Sequence, residues 1–152
     1  MTAPLHIEGA CMCGHVRLLV TASPMMTMAC HCRGCQKLSA SAFSLTVMIP
    51  AAGFQVFGHS PQVGALHRDT KYFFCPHCLN WLYTRPASTD AFINVRPTMF
   101  DMPEWSEPFI ESCTSEKLPW ARTSAKHSFA QFPPMEQYGA LLAEYAALRG
   151  GG

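Results

Sequence analysis

The chain is poor in charged residues and has no excess of either sign. Of its 152 residues only 14% are Asp, Glu, Lys or Arg, and the formal net charge at pH 7 is +1. Such a chain has no strong electrostatic field to hold a phosphate backbone or an anionic bilayer. We therefore expect neither nucleic acid nor a membrane among its partners.

Long apolar runs are also absent from the sequence. No segment has 18 consecutive apolar residues, and residues 1–10 contain neither a basic stretch nor an apolar run of signal-peptide length. We expect a cytoplasmic protein on this basis. Disulfides are rare in that compartment, so the eight cysteines favour metal binding, with redox chemistry as the other use of such spacing.

Length and hydrophobic content predict a single domain over residues 1–152. Hydrophobic residues make up 49% of the chain, enough for a core of its own. Turn residues are frequent and the apolar runs between them are short, which is typical of a mainly β fold. The predicted strands cover residues 16–21, 43–49, 54–57, 71–74, 81–84, 91–95 and 109–112, and most of 98–132 is predicted to be loop.

The C-terminal part has a different pattern. After Pro133 and Pro134, apolar residues recur at helical spacing as far as Leu148. The spacing predicts an amphipathic helix over 133–149. Its apolar face either packs on the protein's own surface or contacts a second copy of the chain, so a homodimer remains open.

Seven of the eight cysteines lie in three tight clusters, and their spacing is typical of thiolate zinc sites. The clusters are Cys11-Met12-Cys13, Cys30-His31-Cys32-Arg33-Gly34-Cys35 and Cys75-Pro76-His77-Cys78. Two closed four-cysteine sites need eight ligands, whereas the clusters offer seven. We therefore predict two Zn²⁺ per chain, one of them with an open coordination position.

The closed site is assigned to the first and last clusters. In an extended CxC the side chains at i and i+2 project from one face, so Cys11 and Cys13 can share a metal. Cys75 and Cys78 can do the same through a tight turn. Together they predict a structural zinc that closes a loop of about 60 residues.

The central cluster offers three ligands, Cys30, Cys32 and Cys35, and leaves a fourth position for water or substrate, as in catalytic zinc sites. A soft, acidic thiol suits that position better than water does. His31 would point to the opposite face of an extended segment, where it can serve as a hydrogen-bond donor behind the ligands or as a proton carrier.

Other interpretations of these residues stay open. His31, His77 or Cys113 could complete the second site and make both zincs structural. Cys113 is otherwise a small buried hydrophobe. Cys32 and Cys35 also form a CxxC, but the βαβ context of a thioredoxin-like motif is missing.

The chain resembles the glutathione-dependent formaldehyde-activating enzyme family, also called the centromere protein V or GFA domain. The resemblance covers about residues 5 to 121. It departs after Cys78, where Leu79-Asn80 stands in place of the family's usual glycine and small hydroxyl residue. The motifs that carry it are Gly9-Ala10-Cys11-Met12-Cys13-Gly14 with Val16, Cys30-His31-Cys32-Arg33-Gly34-Cys35-Gln36-Lys37 with Ser41-Ala42-Phe43-Ser44, and Phe74-Cys75-Pro76-His77-Cys78.

The resemblance implies a fold of the β-tent type with the two zinc sites assigned above. It also implies a carbon-sulfur lyase activity, the condensation of formaldehyde with glutathione to S-hydroxymethylglutathione. We expect an enzyme of this type, with a small thiol such as glutathione as cosubstrate and with His31 or a water moving the proton. The alternative is a zinc-stabilised β module that binds a protein or small ligand without catalysis.

Basic residues are candidates for holding the two carboxylates of glutathione, because paired cations suit such a ligand. Arg33 and Lys37 are the main ones, since they flank the open metal position. The weaker candidates are Arg68, Lys71, Arg85 and Arg96.

Overall fold

The structure is a computed structural model and describes residues 3–64 and 69–150. Within these ranges the strands form two sheets accompanied by a few helices, so the predicted mainly β fold is confirmed. The strands are β1 (Ile7–Ala10), β2 (Val16–Val20), β3 (Met26–Cys30), β4 (Ser44–Pro50), β5 (Phe54–Gly58), β6 (Gln62–Gly64), β7 (Lys71–Phe74), β8 (Trp81–Arg85), β9 (Phe92–Val95), β10 (Ile110–Ser112) and β11 (His127–Ser128). The α-helices are α1 (Arg33–Ser39), α2 (Pro103–Ser106) and α3 (Met135–Arg149).

The chain divides into two compact units, each made of two segments. The first comprises Met1–Pro24 and Met48–Pro103, and the second comprises Met25–Val47 and Glu104–Gly152. Strand β4 begins in the second unit and ends in the first. The assignment of the chain to a single domain stays a prediction.

The first unit contains the antiparallel sheet β1-β2-β5, in which Val16 pairs with Gly58 and Val20 with Phe54. Alternate residues of β2 are buried, as expected of a strand that covers a core with one face. The strand order β9-β8-β7-β6 is also antiparallel. On it the Phe73 and Tyr83 rings stack 4.6 Å apart. The loops after β1 and β7 carry the first and last cysteine clusters.

The second unit is built on parallel pairing. Strand β10 pairs with both β3 and β11, and the register sets Ser112 opposite Cys30. Helix α1 begins three residues after β3 ends, so the central cysteine cluster spans a strand end and the first turn of a helix.

The C-terminal helix is confirmed as α3. It buries Leu141 and Tyr145, and Tyr145 meets the edge of Phe109 with ring centroids 5.5 Å apart. Glu144 on the same helix pairs with His127 at 2.9 Å. The buried stripe is narrower than the sequence pattern indicates, because Met135 is 83% and Leu148 59% exposed.

Several elements were absent from the sequence interpretation. These are β1, β3, β6, β11, α1 and α2. β3 pairs with a strand about 80 residues further along the chain, so its formation depends on contacts that no local window contains. The extended geometry assumed for Cys11 and Cys13 is also wrong, because Met12 and Cys13 lie in a turn after β1.

Among the described residues, no helix has both the length and the apolar character needed to cross a bilayer.

Two glycines offer a matched test of the fold. Gly58 has φ of +79°, and a Cβ there would collide with the carbonyl oxygen of His15, whereas a Cβ at Gly139 in α3 meets nothing within 4 Å. We expect Gly58→Ala to lower the free energy of unfolding by about 2 kcal/mol or more. Gly139→Ala should raise it by about 0.5–1 kcal/mol, because alanine is the better helix former.

Urea denaturation of the zinc-loaded proteins measures both changes. Equal stability of Gly58→Ala and the wild type would show that the β2–β5 edge relaxes easily around the new methyl group.

Candidate metal centres

The first cysteine group brings together the loop after β1 and the loop after β7. The Sγ atoms of Cys11, Cys13, Cys75 and Cys78 all lie within 4.8 Å of one another. The Cys11–Cys13 separation is 3.5 Å and the Cys13–Cys75 separation 3.6 Å. Sulfurs around a tetrahedral zinc stand about 3.8 Å apart, given a Zn–S bond of about 2.3 Å. The geometry therefore fits the predicted four-cysteine site.

Backbone and side-chain groups orient these sulfurs. The amide of Val16 donates to Cys11 Sγ at 3.3 Å, and Nδ1 of His15 lies 3.0 Å from Cys13 Sγ. Asn80 accepts a 2.8 Å hydrogen bond from the amide of Met12, which ties the two loops together. Leu79 adopts a left-handed conformation with φ of 60°, at the position where the family usually has glycine.

Thiols of this group differ in pKa. Burial raises the pKa of Cys13 to about 12. Burial acts on Cys78 in the same direction, but hydrogen bonds from the backbone and from the neighbouring thiols lower its pKa to about 6. Four ionised sulfurs at these distances require a positive charge between them, and a divalent metal ion supplies it.

The second group contains Cys30, Cys32 and Cys35, whose Sγ atoms also lie within 4.8 Å of one another. Cys30 ends β3, Cys32 caps the N-terminus of α1, and Cys35 lies in that helix's first turn, with its amide donating to Cys32 Sγ at 3.3 Å. All three are half-buried, as are Cys13 and Cys78 of the first group, whereas Cys11 and Cys75 are buried.

Thiols of the three-cysteine group also differ in pKa. Hydrogen bonds from Cys32 and Cys35 lower the pKa of Cys30 to about 2, and the same contact with Cys30 raises the pKa of Cys35. The buried hydroxyl of Ser112 contributes to the lowered pKa of Cys30. The three-sulfur donor set suits a soft or borderline metal ion.

Within the described ranges, no further His, Cys, Asp or Glu completes this group. Neither ring nitrogen of His31 lies within 4.8 Å of all three sulfurs, and His77 does not join them. Cys113 lies beside Cys30, and burial together with that neighbour raises its pKa to about 12, but its Sγ is more than 4.8 Å from at least one of the three.

His31 is fully buried, and a hydrogen bond holds one of its two ring nitrogens. Its Nε2 forms a 2.8 Å hydrogen bond with Glu111, while its Nδ1 has no hydrogen-bond partner. Gln36 donates to the backbone carbonyl of His31 at 2.7 Å. Because a carboxylate only accepts, the pair places the proton of a neutral ring on Nε2 and leaves an unshared electron pair on Nδ1.

Glu111 accepts further hydrogen bonds from three side chains. Ser128 donates at 2.6 Å, Thr123 at 2.8 Å and Lys117 at 3.2 Å. Burial would raise the pKa of this carboxyl, but its donors together lower it to about 2. The carboxylate therefore stays ionised and holds His31 in place.

A family model described as glutathione-dependent formaldehyde-activating enzyme matches residues 6–116. The chain belongs to this family. The match contains both cysteine groups and ends before α3.

A crystal structure of a Rhodobacter sphaeroides protein is similar to this chain in fold. The TM-score is 0.54 at 17% sequence identity, and the alignment covers 63% of this chain and 89% of that one. At this identity the likeness concerns the fold alone. No curated protein matches the chain.

The basic residues predicted to bind glutathione differ in their surroundings in this member of the formaldehyde-activating family. Arg33 and Lys37 lie one turn apart on α1 and are both exposed. Arg96 instead lies over the Trp81 ring, 3.9 Å from its centroid. Lys71 and Arg85 face each other across β7 and β8 in the first unit, and Arg68 lies outside the described residues.

Sequence reasoning missed Glu111 and Ser112. A carboxylate inside the apolar run from Phe109 to Ser112 is a signal that could have been used, since buried carboxylates need partners. The residues that supply those partners are scattered over about 100 positions, and only the fold brings them together.

Glu111 offers a test of this network. We expect Glu111→Gln to lower the free energy of unfolding at pH 7 by about 2 kcal/mol, because buried donors lose an ionised acceptor. Since the pKa of Glu111 is lowered from 4.5 to about 2, this contribution is complete above pH 4.5 and is lost as the pH falls towards 2. Urea denaturation measures it.

Glu136→Gln, at an exposed position in the first turn of α3, is the matched control and should change stability by less than about 0.5 kcal/mol. A Glu111→Gln protein as stable as this control would contradict the assigned role.

Proposed function

We propose that the protein is a zinc-dependent enzyme of the carbon-sulfur lyase type, which joins a small thiol such as glutathione to a small carbonyl electrophile. The observation that supports this most is the half-buried group of Cys30, Cys32 and Cys35, which no fourth described side chain completes. Membership of the formaldehyde-activating family supports the choice of thiol and carbonyl.

Cys30, Cys32 and Cys35 would hold the reactive zinc, and Cys11, Cys13, Cys75 and Cys78 a structural one. Zinc at the open site would lower the pKa of a thiol that coordinates it. The three cysteines would hold the metal and leave room beside it for the substrate sulfur.

His31 would accept the thiol proton. Its Nδ1 carries the unshared pair, and Glu111 fixes the ring so that this nitrogen stays unprotonated in the neutral form. Because His31 is fully buried, a water molecule would relay the proton between substrate and ring. The sulfur then attacks the carbonyl carbon, and the proton returns to the carbonyl oxygen.

A zinc-stabilised binding module is the second candidate. It is favoured by exposed apolar side chains in the second unit, where Trp120 is 71% and Phe132 65% exposed. Where such side chains form a contiguous patch, they mark an interaction site. This function requires no exchangeable position on the second metal.

Replacing one ligand of the open site separates the two functions. We expect Cys35→Ser to remain folded with the four-cysteine zinc in place, to lose the second zinc, and to lose glutathione-dependent formaldehyde turnover by at least about 10³-fold. Elemental analysis of protein purified anaerobically without chelator, and dialysed to remove weakly bound ions, should give two zinc per wild-type chain and one per variant chain.

Cys113→Ser is the matched control, because Cys113 lies beside the group without completing it. It should keep two zinc and most of its activity. Full activity of Cys35→Ser would exclude the catalytic assignment. In cobalt-substituted wild type, glutathione should change the thiolate-to-metal absorption; an unchanged spectrum would favour the binding module.

The exposed cations of α1 are expected to affect substrate binding rather than chemistry. Arg33→Ala and Lys37→Ala should each raise the KM for glutathione by about three- to tenfold, with kcat nearly unchanged, because each removes one carboxylate contact. Arg122→Ala serves as the control for a general loss of positive charge. Unchanged KM values in both variants would remove these residues from the binding site.

A further inference from the structure

Three histidines from separate chain segments meet on the surface of the first unit. The His15 ring lies with its centroid 4.7 Å from that of His59 and 4.6 Å from that of His77. All three side chains are exposed. Two imidazoles that bind one tetrahedral ion have centroids about 5 Å apart, given an N–metal distance of about 2.0–2.1 Å. The two observed spacings, both measured from His15, are close to that value.

The backbone holds the three positions firmly. His59 donates its amide to the carbonyl of His15 at 2.8 Å, next to the paired residues Val16 and Gly58. The left-handed Gly58 allows this approach, since a Cβ there would strike the same carbonyl. His77 lies in the loop between Cys75 and Cys78, and the Cys13–Cys75 contact of 3.6 Å ties that loop to the segment of His15. Little ordering of the backbone is needed for binding.

The hydrogen bonding of His15 also suits this residue to bind a metal ion. Nδ1 of His15 lies 3.0 Å from Cys13 Sγ, and a metal-bound thiolate sulfur can only accept a hydrogen bond. Once zinc binds Cys13 as a thiolate, the proton of the neutral ring would lie on Nδ1, and Nε2 would keep its unshared pair. A hydrogen bond at one ring nitrogen that fixes the other as donor to the metal is the usual arrangement of histidine ligands.

We propose that His15, His59 and His77 form a third metal site, which binds a borderline divalent ion such as Zn²⁺ or Ni²⁺ through three imidazole nitrogens, with water in the remaining positions. Imidazole is the ligand these ions accept readily. In the structure the three nitrogens do not all lie within 4.8 Å of one another, so at least one exposed ring turns about its side-chain bonds to close the site. Rotation of an exposed side chain is fast and costs little.

The site is independent of the proposed enzymatic activity. It uses neither the three-cysteine group nor any residue of the second unit. Its ligands are neutral, so the affinity should be lower than that of a four-thiolate site, and the ion should exchange without loss of the structural zinc.

Calorimetric titration of the zinc-loaded protein with Ni²⁺ tests the proposal. We expect one Ni²⁺ per chain with a Kd of about 1–10 μM, and elemental analysis should show that the two zinc ions remain. His59→Gln and His77→Gln should each weaken binding at least about tenfold. Neither variant replaces a cysteine, and the zinc content of each reports that the first unit is folded.

His6→Gln is the matched control, because His6 is an exposed histidine outside the cluster that pairs with Glu8. Its Ni²⁺ affinity should stay within twofold of the wild type. Absence of a Ni²⁺ equivalent, unchanged binding by both cluster variants, or an equal loss in His6→Gln would each overturn the proposal. Failure of the formaldehyde assay with intact Ni²⁺ binding would leave the three-histidine site in place.

Discussion

Thiol sulfurs held 3.5–3.6 Å apart cannot all ionise unless a cation lies between them. In the first unit this constraint falls on the loops after β1 and β7, which are separated by more than 60 residues. A metal bound by the four sulfurs would also fix the spacing of the strands leading into them. His15, His59 and His77 lie around this centre, so their mutual positions depend on it as well.

The second unit meets the same constraint with one ligand fewer. Its three sulfurs are spread over a strand end and a helix start, and the buried hydrogen bond between His31 and Glu111 supports the segment between them. A buried carboxylate is stable only with several donors, and those donors come from the stretch after β10 and from β11. The three-cysteine group is therefore supported by a buried carboxylate that accepts several hydrogen bonds.

Some elements of this arrangement can be predicted from the sequence, and others cannot. The pairing of Cys11 and Cys13 with Cys75 and Cys78 follows from ligand spacing, because cysteines separated by only one or two residues can bind the same metal ion. Strands such as β2 and β8 are predictable because their own residues alternate or cluster in apolar runs. Glu111 was missed because a single acidic letter does not reveal its donors, and β3 because its partner lies far along the chain. Helix α1 was missed since its cysteines dominate the interpretation of a segment that has few apolar residues.

The parallel pairing of β3 with β10 sets an order of events during synthesis. The ribosome adds about 5–20 residues per second, so about 80 residues separate the two strands by roughly 4–16 s. Throughout that interval Cys30, Cys32 and Cys35 exist without Ser112 opposite them and without Glu111 behind His31. A nascent chain thus presents three closely spaced thiols to cellular metal and oxidants before its own sheet can enclose them, and early capture of the metal would protect them from oxidation until β10 arrives.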